Sequence, residues 1–268
     1  MMRGFYDGSG PGHPNGRYVI AGFVAPAEQW DRIAEDWDII LKLPPAIPKF
    51  KLSLSRNPAW RDQHGITVEQ LDSKIQALKE IVAPPATHFS VVASINEGAF
   101  KDSITRHGLQ GDKLAKFIHG SSYLRSPYGV LFSQAVALTL MRADGDGYNG
   151  KIDLIFDREN KLFDDASKMI RFMREYRTNE LLDMIGGISQ ADEDEVLPLQ
   201  AADLVAGLAK DCLNNPHDLE AHRSAVEILG SSNEGAFMGE EEIDRYIQRM
   251  KQISNSYKEE KARHEDGD

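Results

Sequence analysis

Apolar residues recur along this chain with two periods, and the switches between them mark out its elements. "RGFYD" (3–7) and "GRYVIAGFVAP" (16–26) predict two strands of an antiparallel hairpin, joined by a long connection rich in Gly and Pro. The second strand is almost wholly apolar, as expected of a central one. In "EQWDRIAEDWDIILKL" (28–43), Trp30, Ile33, Trp37, Ile40 and Leu41 fall at helical spacing, and Pro44-Pro45 ends the run. An irregular segment with "KFKLSLS" (49–55) follows, and then a helix opened by the Thr67-x-x-Gln70 capping signature and running to Pro84.

Further on, "THFSVVASI" (87–95) predicts a third strand, and residues 112–142 a long helical region with a break near Ser126-Pro127. "KIDLIFDREN" (151–160) alternates as a strand ending at Asp157, "KLFDDASKMIRFMREYR" (161–177) is helical, and "ELLDMIGGIS" (180–189) predicts another strand. "PLQAADLVAGLAKDCL" (198–213) predicts a buried helix, and two more helices, near 217–229 and 240–258, close the chain. The order defines a mixed α/β fold: antiparallel strands first, βα units later. Residues 1–214 are expected to form the main domain, with helical insertions at about 27–85 and 112–143. Residues 215–258 are expected to form a C-terminal helical extension, and 259–268 a disordered acidic tail.

Charge narrows the function classes. The 268 residues carry a formal net charge of −11, which argues against a broad basic platform for nucleic acid but leaves room for a local groove or a basic protein partner. Much of the excess acid sits in "ADEDE" (191–195) and in the tail. The sequence shows no signal-like leader or membrane-length apolar run, and Cys212 has no second cysteine to pair with; together these predict a cytoplasmic protein.

Three aspartates carry the candidate chemistry. Asp7 and Asp157 end predicted strands, and Asp203 lies in the apolar helix. Asp7 could simply start a turn and Asp157 could cap the next helix, but a carboxylate among apolar neighbours needs a partner or a purpose. If the first and fourth strands are neighbours, all three converge, and two or three carboxylates suit Mg²⁺ or Mn²⁺.

"FYDGSG", "YVIAGFVAP", Trp37 ahead of "KFKLS", "LIFDRE" and "LPLQAADLVAG" resemble, in this order, the domain-of-unknown-function 3800 family, which is grouped with the ribonuclease H-like superfamily. The likeness spans roughly residues 3–210, and Gln200 to Leu204 is its most specific part. It implies a ribonuclease H-like mixed sheet and a nuclease-like phosphodiesterase in a defence or mobile-element context. Asp7, Asp157 and Asp203 would hold the Mg²⁺ or Mn²⁺ ions, Lys51 would stabilise phosphate charge, and Gln200 would orient its neighbours. Family members commonly carry Asp-Glu-Ser-Gly at the first strand, whereas this chain has Gly8. Either Asp7 alone suffices, or Glu159 or another acid compensates, or the site is degenerate and the protein a non-catalytic scaffold.

Other signals are weaker. His13 and His119 lack paired metal-ligand spacing, Arg106 and Arg125 are scattered, and Trp30 and Trp37 sit on a helix face. "GSGPG" follows a strand but precedes another strand, so the helix N-terminus of a dinucleotide site is missing.

Overall fold

The computed structural model describes residues 1–10, 12, 16–83, 87–109, 126–158, 163–175, 179–230 and 233–265. Its centre is a six-stranded mixed sheet formed by β1 (Met2–Ser9), β2 (Arg17–Pro26), β3 (Phe89–Asn96), β4 (Ile152–Asp157), β5 (Ile185–Ala191) and β6 (Asn233–Met238), in the order β5-β4-β1-β2-β3-β6. The first three strands pair antiparallel, as the hairpin pattern predicts. β4 lies parallel to both β1 and β5, and β6 parallel to β3.

Alternation along β1 assigns its two faces. Phe5 joins a core with Phe23, Trp30, Trp37 and Leu204, whereas Tyr6 joins the opposite core with Phe132, Phe156 and Ile243. The first core lies under α1 (Ala27–Lys42), α4 (Val68–Val82) and α8 (Leu197–Asn214). α1 buries Trp30, Ile33, Trp37 and Leu41, the stripe set by its sequence period, and the Thr67–Gln70 capping box starts α4 as expected.

On the second face, α6 (Pro127–Gly145) covers β2 and β3. Ser126 caps its first turn and Pro127 occupies the position where a missing N–H costs nothing, so the expected break is the helix start. The Tyr6 hydroxyl bonds Thr139 Oγ1 at 2.6 Å, and its ring stacks on Phe156 at 4.9 Å, which pins the ends of β1 and β4 beneath α6. α7 (Phe163–Glu175) flanks α6.

The structure corrects several elements. The segment 180–189 divides into a 3₁₀ turn, Glu180–Met184, and β5, because its Leu and Met residues fold back on the core before the Gly pair extends. "KFKLSLS" is not wholly irregular: α2 (Leu52–Ser55) and α3 (Pro58–His64) follow Lys51. α5 (Glu97–Arg106) follows β3 directly, with Asn96 as its cap. The C-terminal segment is not all helical, since β6 separates α9 (Leu219–Leu229) from α10 (Glu240–Glu265). "NEGAFM" has too little β-branched content to announce a strand, and its pairing with β3 makes it one. α10 also runs beyond residue 258. Among the described residues, no helix is long and apolar enough to cross a membrane.

Candidate metal centre

β1 and β4 run parallel with Tyr6 opposite Phe156, so Asp7 and Asp157 leave the sheet side by side, one step further along each strand. Each is only 7 % exposed. Asp203 approaches from α8, which packs across β1 and β2. Its carboxyl is near enough to Asp7 for the two to act on each other electrostatically. The three aspartates of the sequence pattern therefore come together at one end of the sheet.

One face of α8 builds the rest of the site. Gln200 Oε1 accepts from Trp37 Nε1 at 3.1 Å and from the Phe50 backbone N–H at 3.0 Å. One turn on, Asp203 Oδ2 accepts from the Leu52 backbone N–H at 2.7 Å. Another turn on, a Cβ on Gly207 would lie 2.4 Å from Leu52 Cδ2, so glycine there lets the Leu52 side chain pack against the helix without shifting. The Gln-x-x-Asp-x-x-x-Gly spacing is thus a clamp on residues 50–52, and it delivers Lys51 to the carboxylates.

Lys51 Nζ lies 3.1 Å from Glu193 Oε1, and Lys49 Nζ lies 3.5 Å from the same oxygen. Glu193 is 6 % exposed, Gln200 Nε2 holds its carbonyl at 3.0 Å, and its Oε2 is buried without a hydrogen-bond partner. The acid run 191–195 conceals this residue in the sequence, where it looks like part of a solvated turn. Glu159, the acid named as a possible compensation for Gly8, lies outside the described residues, as do His13, His119 and Arg125.

The charges are unbalanced. Burial pushes the Asp7 carboxyl well above the ordinary carboxylate range, and the negative charges of Asp203 and Asp157 add to the rise; the Gly8 N–H and Lys51 pull against it. Burial lifts Asp203 to about 6 despite the Leu52 N–H and Lys51, and Glu193 adds to that lift. Burial also raises the Tyr128 hydroxyl, and Asp7 and Asp157 raise it further.

Gly8 is not a gap in this cluster. A Cβ there would meet Tyr128 Cε2 at 3.8 Å and Ile20 Cγ1 at 3.9 Å, on the α6 side of the sheet, whereas Asp203 approaches Asp7 from the α8 side. A side chain at position 8 would point away from Asp203.

Among the described residues, no group of three His, Cys, Asp or Glu side chains forms a cage for one metal ion. The fit to hard cations is instead pairwise: Mg²⁺ is commonly held by one or two carboxylates and keeps several waters. Asp7, flanked by Asp203 and Asp157, is the group two such pairs would share.

No family model matches the chain, and no curated protein matches it. Among solved structures, it is similar to a chain in the structure of the PCNA:RNase HII complex from Archaeoglobus fulgidus, at 12% identity and a TM-score of 0.37, over 95% of this chain and 90% of that one.

Proposed function

We propose that this protein is a divalent-metal-dependent phosphodiesterase of the ribonuclease H-like type, acting on DNA or RNA. The observation that carries the reading is the convergence of Asp7, Asp157 and Asp203 from two parallel strand ends and one helix, where burial raises both Asp7 and Asp203 and the charges of Asp203 and Asp157 raise Asp7 further. The arrangement of three antiparallel strands with β4 beside β1 supports the fold type, as does the order of the family-like motifs.

Asp7, Asp157 and Asp203 would hold Mg²⁺ or Mn²⁺, with Glu193 adjoining through Lys51. Such ions supply water activation and stabilisation of the leaving oxygen. The chain itself does the positioning. Asp203 is fixed by the Leu52 N–H, and Gln200 fixes the backbone on either side of the site through Phe50 and Glu193. Lys51, steadied by Glu193, sets one cation beside Asp7 and Asp203, where it can offset charge developing on a phosphate. The alternative is a non-catalytic scaffold, suggested by Gly8 where the resembling family commonly carries Glu.

The test is incubation with labelled single- and double-stranded DNA and RNA in Mn²⁺ or Mg²⁺, alongside Asp7→Asn and Asp203→Asn. Metal-dependent cleavage that both substitutions abolish is expected. Cleavage surviving both would place the chemistry elsewhere, and absence of cleavage together with absence of Mn²⁺ binding by calorimetry would favour the scaffold.

A further inference from the structure

A cavity of about 200 Å³ opens beside the carboxylates on the α6 side of the sheet. Asp7 and Asp157 form part of its wall, so whatever fills it sits next to the proposed metal centre. The remaining wall is mostly ring and hydrocarbon, from Tyr18, Ile20, Tyr128, Leu131 and Phe156, with the hydroxyl-bearing Ser9 and Ser126 at its polar part. Gly8 also lines it, and the direction of its absent side chain is into this space.

The chemistry of the wall selects the occupant. No Lys or Arg lines the cavity among the described residues, so its wall offers a phosphate no cationic partner. A planar uncharged ring suits aromatic walls with a few hydroxyl groups for its edge. At roughly 30 Å³ per liquid water the volume holds about seven waters, enough for one ring system and too little for a base pair. We infer that this cavity is a nucleobase subsite, which receives one unpaired base adjoining the phosphate held at the Asp7–Asp157 edge. The inference rests on the phosphodiesterase reading and specifies its substrate: a single strand, or a base turned out of a duplex. Gly8 then has a function of its own. With no side chain, glycine leaves the space open.

The probe is a single-stranded oligonucleotide containing 2-aminopurine, titrated in Ca²⁺ and followed by its fluorescence, with wild type, Gly8→Leu and Gly8→Ala. A Cβ at position 8 makes only ordinary contacts, so Gly8→Ala serves as the folding control, and Gly8→Leu extends into the cavity. Gly8→Leu is expected to weaken oligonucleotide binding about tenfold or more while Mn²⁺ affinity, by calorimetry, stays within about twofold. A second readout is cleavage of an oligonucleotide made abasic at one position. Wild type should cleave the intact strand in clear preference to the abasic one, and Gly8→Leu should treat the two alike.

Equal binding by wild type and Gly8→Leu, or equal cleavage of intact and abasic strands by wild type, would overturn the subsite and leave the phosphodiesterase standing. Saturable 2-aminopurine binding that Gly8→Leu abolishes, without cleavage in any metal, would uphold the subsite and remove the phosphodiesterase. Absence of oligonucleotide binding would overturn both.

Discussion

Where α5 meets α10, Asp244 and Glu240 both pair with Arg106, and His107 Nε2 lies 3.2 Å from Asp244. At the end of β1, Asp7 instead feels the charges of Asp203 and Asp157, and Asp203 that of Glu193, with Lys51 the cation that acts on both. The two clusters resemble each other in composition and differ in balance. Burial pushes Asp244 up, but Arg106 and His107 outweigh it and hold the carboxyl below its ordinary range. Asp7 and Asp203 are held above theirs. Carboxylates matched by cations contribute to stability, and carboxylates crowded against one another lower it unless protons or metal ions arrive. The second arrangement persists only if the surrounding fold enforces it, and the α8 clamp supplies that enforcement.

The largest expected effect that separates the clusters is on cleavage. Asp7→Asn or Asp203→Asn should reduce Mn²⁺-dependent cleavage on the order of 10³-fold or more, beyond the 10- to 100-fold typical of losing a group that merely orients a metal ligand. Next comes the clamp. Gln200→Leu leaves the Trp37 Nε1–H and the Phe50 N–H buried without their acceptor, so chemical denaturation should show a loss of about 1–3 kcal/mol per orphaned donor, with cleavage falling as Lys51 loses its seat. The smallest effect belongs to the balanced cluster. Asp244→Asn should lower the melting temperature by no more than a few degrees, because exposed ion pairs contribute little, and should leave cleavage unchanged. A large loss of cleavage in Asp244→Asn would erase the contrast between the two clusters.

The reach of the sequence pattern follows the range of the interactions involved. Asp7 and Asp157 were legible because a strand signal stops at each of them, and Asp203 because its neighbours Ala201, Ala202, Leu204 and Val205 are apolar and buried. The buried stripe of α1 and the α4 cap are local and were equally plain. Glu193 was hidden because its burial depends on Lys49, Lys51 and Gln200, two of them more than 140 residues away. β6 owes its strand form to β3, and the meaning of Gly8 depends on Tyr128, which lies on a helix far along the chain. Residues that partners bring in from a distance leave little local periodicity to detect.

The central claim is that the fold holds Asp7 and Asp203 in a charge arrangement made for a cation, and thermal unfolding of wild type and Asp7→Asn, with EDTA or with Mn²⁺, tests it most directly. A carboxyl whose folded pKa is raised binds its proton more tightly in the folded state, so metal-free stability falls as pH rises through that pKa, about 6 for Asp203. At pH 7.5 in EDTA, Asp7→Asn should therefore melt above wild type, by about 2–4 °C for each kcal/mol of repulsion relieved in a chain of this size. The gap should shrink as pH falls and the raised carboxyls take up their protons. Mn²⁺ should raise the melting temperature of wild type and leave Asp7→Asn nearly unmoved. If Asp7→Asn melts below wild type in EDTA at pH 7.5, or if Mn²⁺ stabilises both chains equally, the carboxylates at the end of β1 are not a strained cation site.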